Sequence, residues 1–163
     1  MIRRFRLAPM DPPILRMTTL LLALPLALFV GALFAGHFLV IPALILVAIY
    51  LWVWLRFRPG RFVIHEHSLK VIWPLKHRTI PRADISMVRL LERDDLQREI
   101  GSSLRVGAGG LWGGFGWLWT QRRGIVQMYV SRTDCFVWIE RKGGRPWLVT
   151  PEQPERFVRA LSG

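Results

Sequence analysis

Between Met17 and Leu55 the chain carries no lysine, arginine, aspartate or glutamate, and its only ionisable side chains there are His37 and Tyr50. A soluble core draws its apolar residues from short periodic runs. A helix that crosses a bilayer needs about 20 consecutive apolar residues, and the uncharged run is about two such spans long. Gly36-His37 divides it, which predicts one span over 17–35 and a second over 38–55. Pro42 falls in the first turns of the second span, where its missing N–H matters least; Pro25 lies inside the first, where a kink is expected. Ala23, Ala27, Gly31 and Ala35 recur every fourth residue and form one ridge of small side chains. Such ridges let a neighbouring backbone come close, so the ridge is expected to face the second span, with contact between copies as the alternative.

The rest of the composition fits two solvents. The chain is 52% hydrophobic with eight tryptophans, yet its formal net charge is +12. Arg3, Arg4, Arg6 and Arg16 precede the first span, Arg56, Arg58 and Arg61 follow the second, and the connecting turn has no fixed charge. Short cationic flanks stay on the cytoplasmic side. The expectation is a two-pass inner-membrane hairpin with both termini cytoplasmic: a basic segment over 1–16, the spans over 17–55, and a cytoplasmic domain over 56–163. Arg3, Arg4, Arg16, Arg56, Arg58 and Arg61 would then lie near anionic lipid, with Arg56, Arg58 and Arg61 each contributing about 1 kcal/mol. Tyr50, Trp52 and Trp54 supply an aromatic belt. A cleaved leader is disfavoured, because no small-x-small site precedes the charged part and a second apolar run follows at once. Arg3-Arg4-Phe5 lacks the spacing of a twin-arginine signal.

Beyond Arg56 the pattern is one of short strands: Phe62–His65, Leu69–Trp73, Lys76–Ile80, Ile85–Leu91, Ile125–Ser131, Cys135–Arg141 and Arg145–Thr150. The turns between them are Glu66-His67-Ser68, Pro81-Arg-Ala-Asp84, Arg132-Thr-Asp134 and Gly143-Gly144. Val126, Met128 and Val130 share one face, and Phe136, Trp138 and Glu140 lie opposite Val137 and Ile139. At the end, Thr150 as N-cap, Pro151, Glu152 and the spacing of Phe157, Val158 and Leu161 predict a closing amphipathic helix.

The Pro81-Arg-Ala-Asp-Ile85 turn, the glycine-rich stretch opening at Arg105, Tyr129-Val130-Ser131 and the terminal Thr150-Pro151-Glu152 with its helix resemble the bacterial pleckstrin-homology-like (PH-like) domains. The resemblance covers Arg61–Leu161. It implies an α+β membrane protein: a transmembrane helical hairpin followed by a PH-like antiparallel β-barrel or sandwich with a C-terminal helix. It implies neither an enzymatic activity nor phosphoinositide binding.

Arg105–Gly124 holds seven glycines but neither GxGxxG nor GxxxxGK[ST], so a nucleotide loop is not expected. Two readings stay open. One is a glycine-rich excursion between strands, needed where the chain bends or another backbone comes close. The other is a membrane-dipping or ligand loop made of Arg105, Trp112, Phe115, Trp117, Trp119, Arg122 and Arg123. Arg78 and Arg82 could join Arg122 and Arg123 in a headgroup pocket or simply be solvated. His65 and His67 flank a turn with no third ligand at metal spacing. Glu92, Asp94, Asp95 and Glu99 alternate with Arg93 and Arg98, as on a solvated helix or loop. Cys135, the single cysteine, excludes an intramolecular disulfide and is expected to be a buried small hydrophobe. No catalytic group, metal, cofactor or nucleic-acid partner is expected. The expected function is a non-enzymatic module at the membrane face for a protein partner or self-association, the alternative being an anionic-lipid sensor built on 105–124.

Overall fold

A computed structural model describes residues 2–163. A short strand β1 (Arg3–Arg6) leads into a helical hairpin, α1 (Pro12–Ala35) and α2 (Val40–Arg56), joined by Gly36 and a 3₁₀ turn over His37–Leu39. α1, and α2 together with the 3₁₀ turn (His37–Arg56), are long and apolar enough to cross a membrane. Asp11 starts α1: its side chain accepts from the Ile14 N–H at 3.1 Å, and Pro12 and Pro13 occupy positions whose N–H has no intrahelical partner. The helix therefore begins five residues before the uncharged run. Gly36 ends it at φ 111°, a left-handed conformation that glycine adopts without a steric penalty.

The ridge of small residues does not form the contact between the helices. Ala23, Ala27 and Ala35 are exposed and Gly31 is half-buried, close to Leu39. The buried residues of α1 are Thr18, Pro25 and Ala32, and those of α2 are Ala43, Tyr50 and Val53. The Tyr50 hydroxyl donates to the Leu21 carbonyl at 2.9 Å. That bond is a polar tie across the hairpin and satisfies the tyrosine.

The rest is a two-layer sandwich. One sheet has the order β1-β2-β3-β4, with β2 (Arg61–Ile64), β3 (Ser68–Ile72) and β4 (His77–Pro81). The second has the order β5-β9-β10-β8-β7-β6, with β5 (Ile85–Leu91), β6 (Ser103–Gly109), β7 (Gly114–Thr120), β8 (Gly124–Val130), β9 (Phe136–Arg141) and β10 (Trp147–Val149). Helix α3 (Arg93–Ile100) lies between β5 and β6, and α4 (Pro154–Ser162) closes the chain. Residues 1–16 are thus more than a basic tail: Arg3–Arg6 pairs antiparallel with Arg61–Ile64, so segments on either side of the helical hairpin build one sheet. The turn at 131–135 does not join adjacent strands either. β10 enters between β8 and β9, antiparallel to β9 and therefore parallel to β8.

The core between the sheets gathers Phe62, Leu69, Ile80, Val137, Ile139 and Trp147, with Phe157 of α4 wedged edge-on against Phe5 and Phe62 at 5.3 and 5.7 Å. A second core lies on the outer face of the six-stranded sheet, where α3 sets Leu96 and Ile100 over Leu118, Met128, Trp138 and Leu148. This explains why β9 is buried on both faces. The closing helix starts three residues later than the sequence suggests. Thr150 is fully buried and its hydroxyl accepts from the Ser131 N–H at 2.9 Å, so Pro154 rather than Pro151 opens α4. Cys135 is half-buried in the turn before β9, with φ 46°, rather than within the strand.

Candidate functional site

The glycine-rich segment is itself a β-hairpin, β6 and β7, seven residues on each side, in which another backbone does come close. Gly107 pairs with Gly116. A Cβ at Gly107 would lie 2.4 Å from the Phe115 carbonyl oxygen, and one at Gly116 would lie 2.6 Å from that of Val106. Only glycine allows the strands to come that close at positive φ.

The tip, Gly110–Gly113, rests on the helical hairpin. The Thr18 hydroxyl of α1 donates to the Gly110 carbonyl and accepts from the Trp112 N–H, both at 2.9 Å. Trp112 packs edge-on against Trp54 of α2 at 4.8 Å, and the Arg58 guanidinium lies 4.3 Å over Trp54. Burial pushes the Arg58 pKa down. Further ties fix the sandwich to the helices. Asp11 accepts from the Thr133 N–H at 2.8 Å, the Ser131 hydroxyl donates to the Ala8 carbonyl at 2.6 Å, and the Trp73 indole donates to the Phe57 carbonyl at 3.0 Å.

The seven residues of the expected loop are dispersed along this hairpin. Trp112 is at the helices and Phe115 is in the core. Arg122 and Arg123 sit in the turn after β7, some seven residues or about 23 Å along the strand from the tip. There Arg122 donates to the Arg98 carbonyl at 2.6 Å, and Arg123 pairs with Glu99. Glu99 also pairs with Arg89 at 2.8 Å, and these contacts, Arg89 first, hold its carboxyl below the usual range against an opposing push from burial. Arg82 donates to the Leu161 carbonyl at 2.8 Å at the end of α4, and Arg78 to the Gln127 side chain at 3.0 Å. The four arginines considered together as a headgroup pocket thus serve separate structural contacts.

The arginines expected beside lipid divide as well. Arg16, Arg56, Arg58 and Arg61 flank the helix ends, with Arg56 5.6 Å over Trp52. Arg3 and Arg4 pair with Ile64 and Val63, at the end of the β1–β2 ladder remote from the helices.

Two surfaces of the hairpin stand out. On one face, the cross-strand pairs Leu104–Trp119 and Val106–Trp117 are exposed by 65%, 56%, 42% and 42% respectively. β6 is the edge of its sheet. On the other face, a cleft of about 960 Å³ separates α1 from α3, floored by Leu118, Met128 and Leu148. Its charged lining residues are Arg93, Arg105 and Arg132. Sequence reasoning missed Thr18, the α3 wall and Arg93. Asp11-Pro12-Pro13 was the one legible sign that α1 begins early.

A family model described as a bacterial PH domain matches residues 60–163. No curated protein and no solved structure matches the chain. That match spans every element of the sandwich except β1, and the two packed sheets closed by α4 agree with it: the chain belongs to the bacterial PH domain family, here joined to two long apolar helices.

Proposed function

We propose that the chain is a non-catalytic interaction module held at the cytoplasmic face of the inner membrane by α1 and α2, and that a protein partner or a second copy docks on the β6 edge. The observation that carries this reading is the exposed Leu104–Trp119 and Val106–Trp117 face beside an open strand edge. An edge strand offers unpaired backbone donors and acceptors, and an adjoining apolar face is the usual companion of strand addition. The two apolar helices and the arginines at their ends support the membrane placement and its orientation. Lipid contact at Arg16, Arg56, Arg58 and Arg61 follows from that placement.

The test is crosslinking of the full chain in native membranes, followed by mass spectrometry, for the wild type and for Leu104→Lys with Trp119→Ser. A stoichiometric partner, or a homodimer, that disappears in the double variant supports the reading. A monomer in both, or a partner retained in both, overturns it.

A further inference from the structure

β1 is only half covered along its outer edge. In an antiparallel ladder the backbone groups of alternate residues point to opposite edges. On β1 the edge away from β2 is marked by the Arg6 carbonyl, which accepts from the Glu152 N–H at 2.9 Å, and by the Ala8 N–H, which donates to the Thr150 carbonyl at 2.9 Å. Arg4 lies two residues before Arg6 in an unbroken register with β2, so its N–H and carbonyl face the same way. Among the described residues no strand pairs with them there, because β1 ends its sheet. The segment that covers the edge at Thr150–Glu152 leaves it at Gln153 and enters α4 at Pro154.

The vacated edge opens into a recess of about 600 Å³, bounded by Arg3, Arg4 and Phe5 of β1 and by Gln153, Arg156 and Arg159 at α4. Phe5 packs on Phe157 of α4 at 5.3 Å, and Arg3 shares its face of β1, the one turned toward the helix. Arg156 and Arg159 are one turn apart and share a face of α4. Among the described residues none of these four arginines forms an ion pair, and their one side-chain hydrogen bond runs from Arg156 to Gln153 at 3.1 Å. No carboxylate lines the recess, and neither Glu152 nor Glu155 pairs with any of the four. Like charges gathered in one concavity raise the local potential and draw in an anionic partner. Arg3 and Arg4 lie at the end of the β1–β2 ladder remote from the helices, which points to a soluble partner rather than to the bilayer.

We propose that this recess takes an extended acidic segment of a partner protein, which adds to β1 as a further strand at Arg4 while its carboxylates pair with Arg3, Arg156 and Arg159. The proposal depends neither on the β6 edge nor on the membrane placement. A strand added here continues the line begun by Thr150–Glu152. Backbone pairing supplies affinity, and the side chains of alternate residues supply selectivity. The free amide and carbonyl beside the cations favour a polypeptide over a nucleic acid, which has no row of amides to offer the edge.

The test uses the full chain in phosphatidylcholine nanodiscs and a fluorescein-labelled peptide of alternating glutamate and valine, about eight residues or roughly 26 Å long when extended. Anisotropy reads binding, and hydrogen exchange of the Arg4 amide reads strand addition. The peptide should bind, a lysine–valine counterpart should not, and exchange at Arg4 should slow about tenfold or more at saturation. Arg156→Gln with Arg159→Gln should weaken binding about tenfold, as expected for two exposed ion pairs. Leu104→Lys with Trp119→Ser should leave it unchanged. Near-UV circular dichroism checks that the variants keep their fold. No binding, or equal binding of both peptides, would overturn the proposal and leave the arginines as charges that keep an edge strand from pairing. Binding without protection at Arg4, or binding undiminished in the arginine variant, would overturn it too. Tighter binding of a single-stranded oligodeoxynucleotide, lost in the arginine variant, would replace the acidic peptide with nucleic acid.

Discussion

The tip of the β6–β7 hairpin is hydrogen-bonded to α1 through one hydroxyl, and removing it gives a sharp test. Thr18 is 2% exposed and bridges the Gly110 carbonyl and the Trp112 N–H at 2.9 Å each. Thr18→Val keeps the shape and leaves both backbone groups without a partner. A buried unsatisfied group costs about 1–3 kcal/mol. Taking the lower end for each gives a total of about 2 kcal/mol, which corresponds to an opening equilibrium of the tip about thirtyfold larger. Hydrogen exchange of the Trp112 amide, followed by mass spectrometry on protein in lipid nanodiscs, should accelerate by that factor. Thr18→Ser, which keeps the hydroxyl, should stay within a fewfold of wild type. Thr19→Val, which removes an exposed hydroxyl bonded to the Leu15 carbonyl of its own helix, should change nothing at Trp112. A wild-type exchange rate in folded Thr18→Val, or an equal acceleration in Thr19→Val, would refute the claim that this contact docks the hairpin.

Further outcomes are expected. Phe157→Ala empties the space between Phe5 and Phe62 and should cost about 3–5 kcal/mol in denaturant unfolding, with β1 and α4 losing protection together. Gly113→Ala places a Cβ 2.1 Å from the Val130 carbonyl oxygen at φ 142°, and should cost at least the ~1–3 kcal/mol of a strained backbone site; Gly124→Ala, with nothing within 4 Å, should cost less. Glu99 has a depressed folded pKa, so its contribution is present above the ordinary carboxylate value and lost as pH falls through the folded one. Glu99→Gln should therefore flatten the acid limb of the stability profile, and an unchanged limb would deny Glu99 that role. Burial, foremost, pushes the Tyr129 hydroxyl up to about 12, with Arg78 and the Gln127 hydrogen bond pulling the other way. Phenolate absorbance from Tyr129 should therefore appear only near that pH, with stability falling from about pH 10 upward as the unfolded state ionises first.

The local chemistry of this protein was legible in its sequence. The charge-free run between Met17 and Leu55 and the break at Gly36 marked out two apolar helices, because length and hydropathy are properties of a segment alone. Alternation placed Val126, Met128 and Val130 on one face of β8, and Gly143-Gly144 marked the β9–β10 hairpin, because pleat and turn chemistry act over a few residues. Tertiary structure alone decided what lies beside what. Arg3–Arg6 becomes a strand because Arg61–Ile64, on the far side of two helices, presents a sheet edge to it. Arg105, Trp112 and Arg123 look like one loop in sequence, yet two strands carry them to a cleft, a helix junction and an ion-pair network. Such placements depend on contacts between residues scores of positions apart. No local period, cap or turn signal encodes that separation; only the packing of the two sheets on the helices determines it.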